Sequence, residues 1–361
     1  MKNPKKILII IQRSNGDVLL SLSLIKTLYK HYNSPQIDLL VNDDTLPVAK
    51  LLPHINFIHQ FSYRKKRDNR WQQERGLFKS IFKKYDLSIN LTASDRSVLY
   101  TLFSGKKTIS AIEEDNKKSW WKKILLTHYY YFDSSSHILI NNSQPLDILR
   151  IEHSNTQQSP SIVDSVIANI KNKLNKKRIK DFIIFHPSAQ YNYKIYPKYL
   201  RDELLTNLNT LGVSIVITGC NNKIDTEIKA TIPNLDNIFN WIGETTLEEY
   251  FALSELSSAY IGMDTLNMHI AAGQSKRIFS IFGPTKLSMW SPWSNTLQTS
   301  ARQDKTKQTY GNVTLFQANM PCVACGKAGC DNQHGKSECL DHIEPMVVFN
   351  EIKDWYKNVK L

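Results

Sequence analysis

Short runs of continuous apolar residues alternate along this chain with longer stretches in which apolar residues recur every three or four positions. Residues 7–11, Ile-Leu-Ile-Ile-Ile, are the first such run. With no polar position to turn toward water, they predict a strand buried on both faces. Residues 18–32 follow with helical spacing, and residues 37–41, 57–61, 86–91 and 108–111 predict further strands. Strands separated by helical stretches need crossover connections, and so a parallel sheet. A helical stretch over 154–180 ends in a Lys/Asn-rich segment, 171–180, that reads as a linker. The pattern then restarts: residues 182–185, 213–218, 238–241, 260–262 and 278–282 predict strands, and residues 197–211 a helix stopped by Gly212. Thr246 with Glu249 three positions on fits a capping box. Residues 345–360 have the spacing of a final amphipathic helix.

These patterns predict two α/β units with parallel sheets. The expected division is a first domain at 1–170, the linker at 171–180, a second domain at 181–344 and a terminal helix at 345–361 able to pack back toward the first. At 361 residues the chain is long enough for two cores, and 41% hydrophobic against 22% charged residues is the balance of a folded protein. No apolar run approaches the roughly 20 residues of a bilayer span. Lys2, Lys5 and Lys6 precede the first run, but no small-residue cleavage site follows it, so a cytosolic protein is expected.

Charge divides unevenly. Residues 1–180 carry 30 Lys+Arg against 15 Asp+Glu, a formal +15, whereas residues 181–361 carry 16 against 18, a formal −2. The basic half favours an anionic partner: nucleic acid, anionic lipid or a phosphorylated substrate.

Ligands of doubly wound sheets bind at the carboxyl ends of the strands, so the loops there carry the candidate chemistry. After the first strand comes Arg13-Ser14-Asn15-Gly16-Asp17. Gly16 permits a tight turn, and Asp17 at the helix start is either a general base or a cap on the helix. After the first strand of the second unit come His186-Pro187-Ser188-Ala189 and then Lys194-Ile195-Tyr196-Pro197. Ser188 is a donor suited to phosphate and Lys194 a point charge suited to a diphosphate, or the segment is a solvated loop with Pro197 starting a helix. After the strand ending at Gly262 comes Met263-Asp264-Thr265-Leu266-Asn267-Met268-His269. The N–H groups at that helix start can cradle an anion, and His269 either supports the site or sits in the core. Phe282-Gly283-Pro284-Thr285 and Trp290-Ser291-Pro292-Trp293 read as strand end and turn.

Cys322, Cys325, Cys330 and Cys339 form C-x2-C-x4-C-x8-C, with His334 and His342 nearby. Four thiols in one short loop are candidates for a structural tetrahedral zinc site, although the second pair does not repeat the C-x2-C spacing.

Taken in order, R-S-N-G-D, H-P-S-A…K-I-Y-P, G-E-T-T-L-E-E, D-T-L-N-M-H-I-A-A-G and F-G-P-T…W-S-P resemble glycosyltransferase family 9, the heptosyltransferases of lipopolysaccharide core assembly. The resemblance implies the GT-B fold, two facing Rossmann-like domains with a cleft between them, the acceptor on the first and the nucleotide-sugar on the second. It implies an inverting transferase that needs no metal or other cofactor and uses ADP-heptose as donor. Asp17 then matches the catalytic base and Lys194 the group that neutralises the leaving diphosphate. Ser188, Glu248, Asp264, Thr265, Leu266 and His269 belong with the nucleotide-sugar, Glu248 at its ribose. Leu266 stands where the family has glycine, which bears on the donor sugar. The acceptor implied is a Kdo- and phosphate-bearing lipopolysaccharide glycolipid at the cytoplasmic face of the inner membrane, and Arg13, Ser14, Asn15 and Gly16 fall on its side.

That partner gives the basic half a use. Residues 62–85 interleave Arg64, Lys65, Arg67 and further bases with aromatics, and residues 117–132 place Trp120 and Lys122 in a basic, aromatic stretch. Both suit an anionic membrane surface, or else a solvated helix face. No nucleic-acid-binding motif accompanies the charge, so nucleic acid is not an expected partner. A GT-B enzyme using another nucleotide-sugar, an epimerase and a non-catalytic lipopolysaccharide-assembly scaffold are the alternatives. Retention of Asp17, Lys194 and Asp264 weighs against the scaffold.

Overall fold

The computed structural model describes residues 3–63, 65–114 and 119–360, without the side chains of 65–68 and 360. It divides into two compact units, residues 1–160 and 161–361.

The first unit runs β1 (Lys6–Ile11), α1 (Asn15–Leu20), α2 (Leu22–His31), β2 (Gln36–Asn42), α3 (Leu46–Ala49), β3 (Ile55–Phe61), α4 (Lys65–Ile81), β4 (Tyr85–Asn90), α5 (Asp95–Ser104), β5 (Gly105–Ile112), α6 (Trp120–Leu125), β6 (His128–Tyr131) and α7 (Ile138–Leu149). Its six strands are parallel, in the order β3-β2-β1-β4-β5-β6. Ile7 to Ile10 are fully buried, as an uninterrupted apolar central strand requires. From β1 the chain winds outward to β3, then restarts at β4 and winds the other way. Right-handed crossovers therefore put α4, α5 and α6 on one face and α1, α2 and α3 on the other. Packing agrees. Leu77 and Ile81 of α4 and Tyr100 of α5 share a core with Leu8, Ile10 and Leu40. Trp121 and Leu126 pack with Val98 and Leu102 of α5.

The second unit runs α8 (Asp164–Lys176), β7 (Phe182–His186), α9 (Lys198–Asn209), β8 (Ser214–Ile217), α10 (Lys223–Lys229), β9 (Ile238–Asn240), α11 (Leu247–Leu256), β10 (Ala259–Met263), α12 (Leu266–Gly273), β11 (Arg277–Phe282), α13 (Leu287–Trp290), β12 (Lys307–Tyr310), β13 (Val313–Gln317) and α14 (Pro345–Lys360). The order is β12-β13-β11-β10-β7-β8-β9, parallel except for β12 against β13. That hairpin, turning through Gly311 at φ +51°, and β6 were not among the expected strands.

The lysine-rich stretch expected as a linker is the second half of α8 and the turn after it. Lys173 Nζ bonds Glu249 Oε1 of α11 at 2.7 Å, and Ile170 and Leu174 are buried, so this segment packs as part of the second unit. α14 also buries its apolar face there. Val348 and Ile352 are fully buried in the second core, and the Trp355 ring lies 5.6 Å from that of Phe279. Among the described residues no helix is long and apolar enough to cross a membrane.

Candidate functional sites at the two switch points

Each sheet changes winding direction beside its first strand, between β1 and β4 in the first unit and between β7 and β10 in the second. A crevice opens at such points beyond the strand ends. The candidate residues gather at both.

In the first unit Asp17 sits in the opening turn of α1 with its side chain only 5% exposed. Its Oδ2 accepts from Ser14 N at 3.1 Å and Ser14 Oγ at 2.7 Å, and its Oδ1 pairs with Arg13 Nε at 2.7 Å. Asp17 therefore does bond back to the residue before the helix, as a cap would. A carboxylate has about four acceptor positions, so these three contacts orient it without exhausting it. The Arg13 guanidinium lies 4.6 Å over the ring of Phe132. Gly16 is buried within α1.

Three residues around Asp17 have buried polar atoms with no hydrogen-bond partner among the described residues: Gln12 Nε2, Asn15 Oδ1 and Asn42 Oδ1. Gln12 follows β1 and Asn42 ends the neighbouring β2, where Asn42 Nδ2 donates to the Arg13 carbonyl at 3.4 Å. Burying such a group unpaired costs about 1–3 kcal/mol, so a polar ligand or water at this sheet end would relieve all three. Gln12 and Asn42 were missed in the sequence. Their one signal was a polar side chain ending an apolar run at the carboxyl end of a strand.

The basic-aromatic residues fare unevenly. Arg64 lies outside the described residues, as do the side chains of Lys65 and Arg67. Trp120 stands 64% exposed on α6. Lys122 is a correction: its side chain is 1% exposed, paired with Asp95 Oδ1 at 2.7 Å and the Ala93 carbonyl at 3.0 Å. It staples α6 to the start of α5 and is not presented to an acceptor. Its stem points inward one turn from the buried Leu126, which a reading by composition cannot see.

In the second unit, the loops after β7 and β10 bring together residues 70 apart in sequence. Lys194 Nζ bonds Asp264 Oδ2 at 2.6 Å. Burial pulls the Lys194 ammonium down, but the Asp264 charge and hydrogen bond outweigh it, and its pKa lies above the ordinary value. Beside the pair, Thr265 is the extended N-cap of α12 and makes no side-chain cap bond, while its Oγ1 lies 3.4 Å from Tyr260 Oη. Leu266 opens α12 and is half-buried. His269 is buried, its ring 6.3 Å from that of Trp290. Ser188 is buried in the β7 loop.

Behind them lies a polar network that was not read as such. His186 Nδ1 meets Thr218 Oγ1 at 3.0 Å and Asn267 Nδ2 at 3.1 Å. Burial pushes the His186 imidazole well below its ordinary pKa, against the raising effect of Asp225. A Cβ on Gly262 would meet the His186 carbonyl at 2.6 Å, so the absence of a side chain there lets β10 and β7 close up behind the site. At the start of α11 the capping box forms as expected, with Glu249 N donating to Thr246 Oγ1 and Thr246 N to Glu249 Oε2. Glu249 thus serves the helix, and Glu248 stands half-buried in the same turn.

The cysteine-bearing loop lies along this end of the second sheet. Gly326 N donates to the Pro284 carbonyl at 2.8 Å, and His334 stacks on Tyr191, 5.2 Å between ring centres. All five cysteines are free thiols. Burial, then the neighbouring Cys330, Cys325 and Cys322, push the Cys339 thiol up to about 11. Among the described residues no three His, Cys, Asp or Glu side chains are grouped to hold a metal ion, so the arrangement expected for structural zinc at Cys322, Cys325, Cys330 and Cys339 is not formed.

The chain is similar to lipopolysaccharide heptosyltransferase 3 of Escherichia coli, 25% identical over 295 residues that cover 79% of this chain and 85% of that one. It is also similar to lipooligosaccharide heptosyltransferase 2 of Campylobacter jejuni, 26% identical over 122 residues, 34% and 33% of the two chains. Among solved structures, E. coli ADP-heptose lipopolysaccharide heptosyltransferase II superposes with a TM-score of 0.72 at 19% identity, covering 99% of this chain and 100% of that one. E. coli heptosyltransferase WaaC with ADP-2-deoxy-2-fluoro heptose does so at 0.71 and 13%, covering 97% and 99%. These likenesses establish the GT-B fold. Residues 75–318, well over half of the sequence, match the model of glycosyltransferase family 9 (heptosyltransferase), and the chain belongs to that family.

Proposed function

We propose that the chain is an inverting heptosyltransferase that moves heptose from ADP-heptose to the inner core, Kdo or heptose, of a lipopolysaccharide glycolipid. In this reading the first unit holds the acceptor and the second the nucleotide-sugar, and the enzyme works at the cytoplasmic face of the inner membrane.

The chemistry follows from the residues. Asp17 accepts the proton of an acceptor hydroxyl as its oxygen attacks the anomeric carbon. The bond from that carbon to the diphosphate oxygen breaks, and the electron pair leaves with the diphosphate. Lys194 keeps two N–H donors beyond the one given to Asp264, and the first N–H groups of α12 have no partner within the helix. Together they meet the charge that develops on the leaving group. With that potential in place the reading calls for no metal ion. Asp264 holds the ammonium in position, and Gln12, Asn15 and Asn42 supply bonds to acceptor hydroxyls. Attack from the face opposite the diphosphate inverts the anomeric centre.

The observation that carries the donor half is the Lys194–Asp264 pair at 2.6 Å beside the open start of α12. Leu266 at that start favours a second reading, a GT-B transferase with another donor, because its side chain narrows the space that a glycine leaves. Thermal shift of the purified protein with ADP, UDP, GDP and CMP in parallel separates the two, since a ligand bound only to the native state raises stability as its concentration exceeds Kd. Selective stabilisation by ADP is expected. Preference for UDP or GDP overturns the donor, and no response to any nucleotide overturns the site.

A further inference from the structure

Exposed apolar side chains are concentrated in one part of this protein. Of eighteen large hydrophobic residues exposed among the described residues, eleven lie between Phe57 and Tyr131. On α5, Leu99 and Phe103 stand one turn apart, both exposed, and on α6 Trp120 and Ile124 do the same, with Leu125 beside them. Phe82, just past the end of α4, stacks on Phe103. These three helices lie side by side on one face of the sheet, packed together by Phe78, Leu102 and Trp121 from beneath. Solvent-facing helix surfaces ordinarily carry polar residues, and a contiguous apolar patch of this kind marks an interaction surface.

The charge around it identifies the occupant. Among the described side chains of residues 62–131 there are 10 Lys+Arg against 5 Asp+Glu, a formal +5. Lys79, Lys83, Lys84 and Lys123 are exposed on or beside these helices. Three of the carboxylates are already matched within the fold, Asp95 by Lys122, Glu74 by Arg96 and Asp86 by Lys106. Apolar and aromatic side chains ringed by lysines suit the boundary between acyl chains and anionic headgroups. A second copy of this chain would bring the same positive charge against itself.

We infer that the outer face of α4, α5 and α6 docks on an anionic lipid bilayer, with the exposed residues of α5 and α6 entering the headgroup boundary and the lysines holding the headgroups. This deepens the proposed function, since an enzyme acting on a glycolipid gains from resting on the surface that holds it.

Flotation of the full chain with phosphatidylglycerol-containing vesicles and with phosphatidylcholine vesicles tests it. Binding is expected to the anionic vesicles only, and to weaken as salt screens the lysines. The Ile124→Ser/Leu125→Ser protein, changed at two exposed positions, is expected to lose about tenfold or more in partitioning. The Lys79→Glu/Lys84→Glu protein is expected to lose most of the salt-dependent part. Both should keep the wild-type melting temperature, the response to ADP and transfer to a delipidated acceptor. Equal binding to both vesicle types, or undiminished binding by both variants, overturns the inference. So does a change of oligomeric state in the serine variant with vesicle binding intact, because the face would then cover another protein surface. Transfer to delipidated acceptor without vesicle binding removes the docking face alone. Vesicle binding without any transfer removes the catalytic reading alone.

Discussion

Lys194 and Asp264 show how one contact serves both folding and the site. The carboxylate is nearly buried, 7% exposed, and the ammonium is its one ion-pair partner among the described residues. Removing the lysine alone strands a desolvated charge, so Lys194→Ala should cost about 2 kcal/mol in urea unfolding. Lys194→Ala/Asp264→Ala should cost less than the two single changes together, because neither charge is then left unpaired. Additive costs would mean that the pair is not coupled. His186 makes a second prediction. Its folded-state pKa is lowered to about 4, chiefly by burial, from an ordinary 6.5. Between those values the unfolded chain binds a proton that the native imidazole does not, so stability is full above about pH 6.5 and falls as pH drops toward 4. One proton gives a slope of roughly 1.4 kcal/mol per pH unit. His59, lowered by burial as well, adds to the wild-type slope in the same direction. His186→Gln should therefore flatten the pH dependence of unfolding without abolishing it, and an unchanged slope would show that His186 does not set it.

At the scale of elements, strands were legible where burial on both faces left a run of apolar residues, as at 7–11 in β1 and 182–185 in β7. Their ends were set by registry with neighbours, which is why β2 runs to Asn42 and so brings its amide to the Asp17 site. Three strands escaped, two of them on sheet edges and the third, β13, inside the second sheet. β12 is half polar and exposed, and β6 is a four-residue edge strand inside a stretch whose basic and aromatic composition suggested a surface segment. That composition drew attention to Trp120, which the fold leaves exposed. It misassigned Lys122, because helical phase decides which neighbour turns inward and only packing against α5 fixes the phase. Gly262 shows the opposite case, where the sequence looked like an ordinary strand end and packing demands glycine. A methyl group there would also meet Tyr260 Oη at 2.6 Å, and neither backbone carbonyl nor buried phenol can move aside cheaply. Gly262→Ala should lower stability by roughly 2 kcal/mol and weaken nucleotide binding, since β7 and β10 carry the two loops of the proposed donor site. A variant that melts and binds ADP as the wild type does would show that the strands can spread without harm.

At the scale of the whole molecule, two sheets wound from a central strand set two groups of residues at their carboxyl ends. The motifs that carried the family resemblance are the loops at those ends, R-S-N-G-D after β1, H-P-S-A after β7 and D-T-L-N-M-H after β10. They were readable because each combines a strand, a turn and a helix start. Of the partners that complete them, Gln12 adjoins the first loop while Asn42 and Thr218 lie at the ends of strands distant in sequence, and their one local signal is a polar residue closing an apolar run. The charge asymmetry was legible as a number and acquires a location only when α4, α5 and α6 fall on one face of the first sheet. The account rests on Asp17 as the base and ADP-heptose as the donor. Its most direct test is mass spectrometry of a Kdo-bearing lipid A acceptor incubated with ADP-heptose and either the wild-type protein or Asp17→Asn. The account predicts one added heptose and one ADP released per turnover with the wild type. It predicts transfer reduced by about 10²–10⁴-fold in the variant, with ADP affinity retained. No heptose transfer by the wild type, or transfer by Asp17→Asn at the wild-type rate, would contradict it.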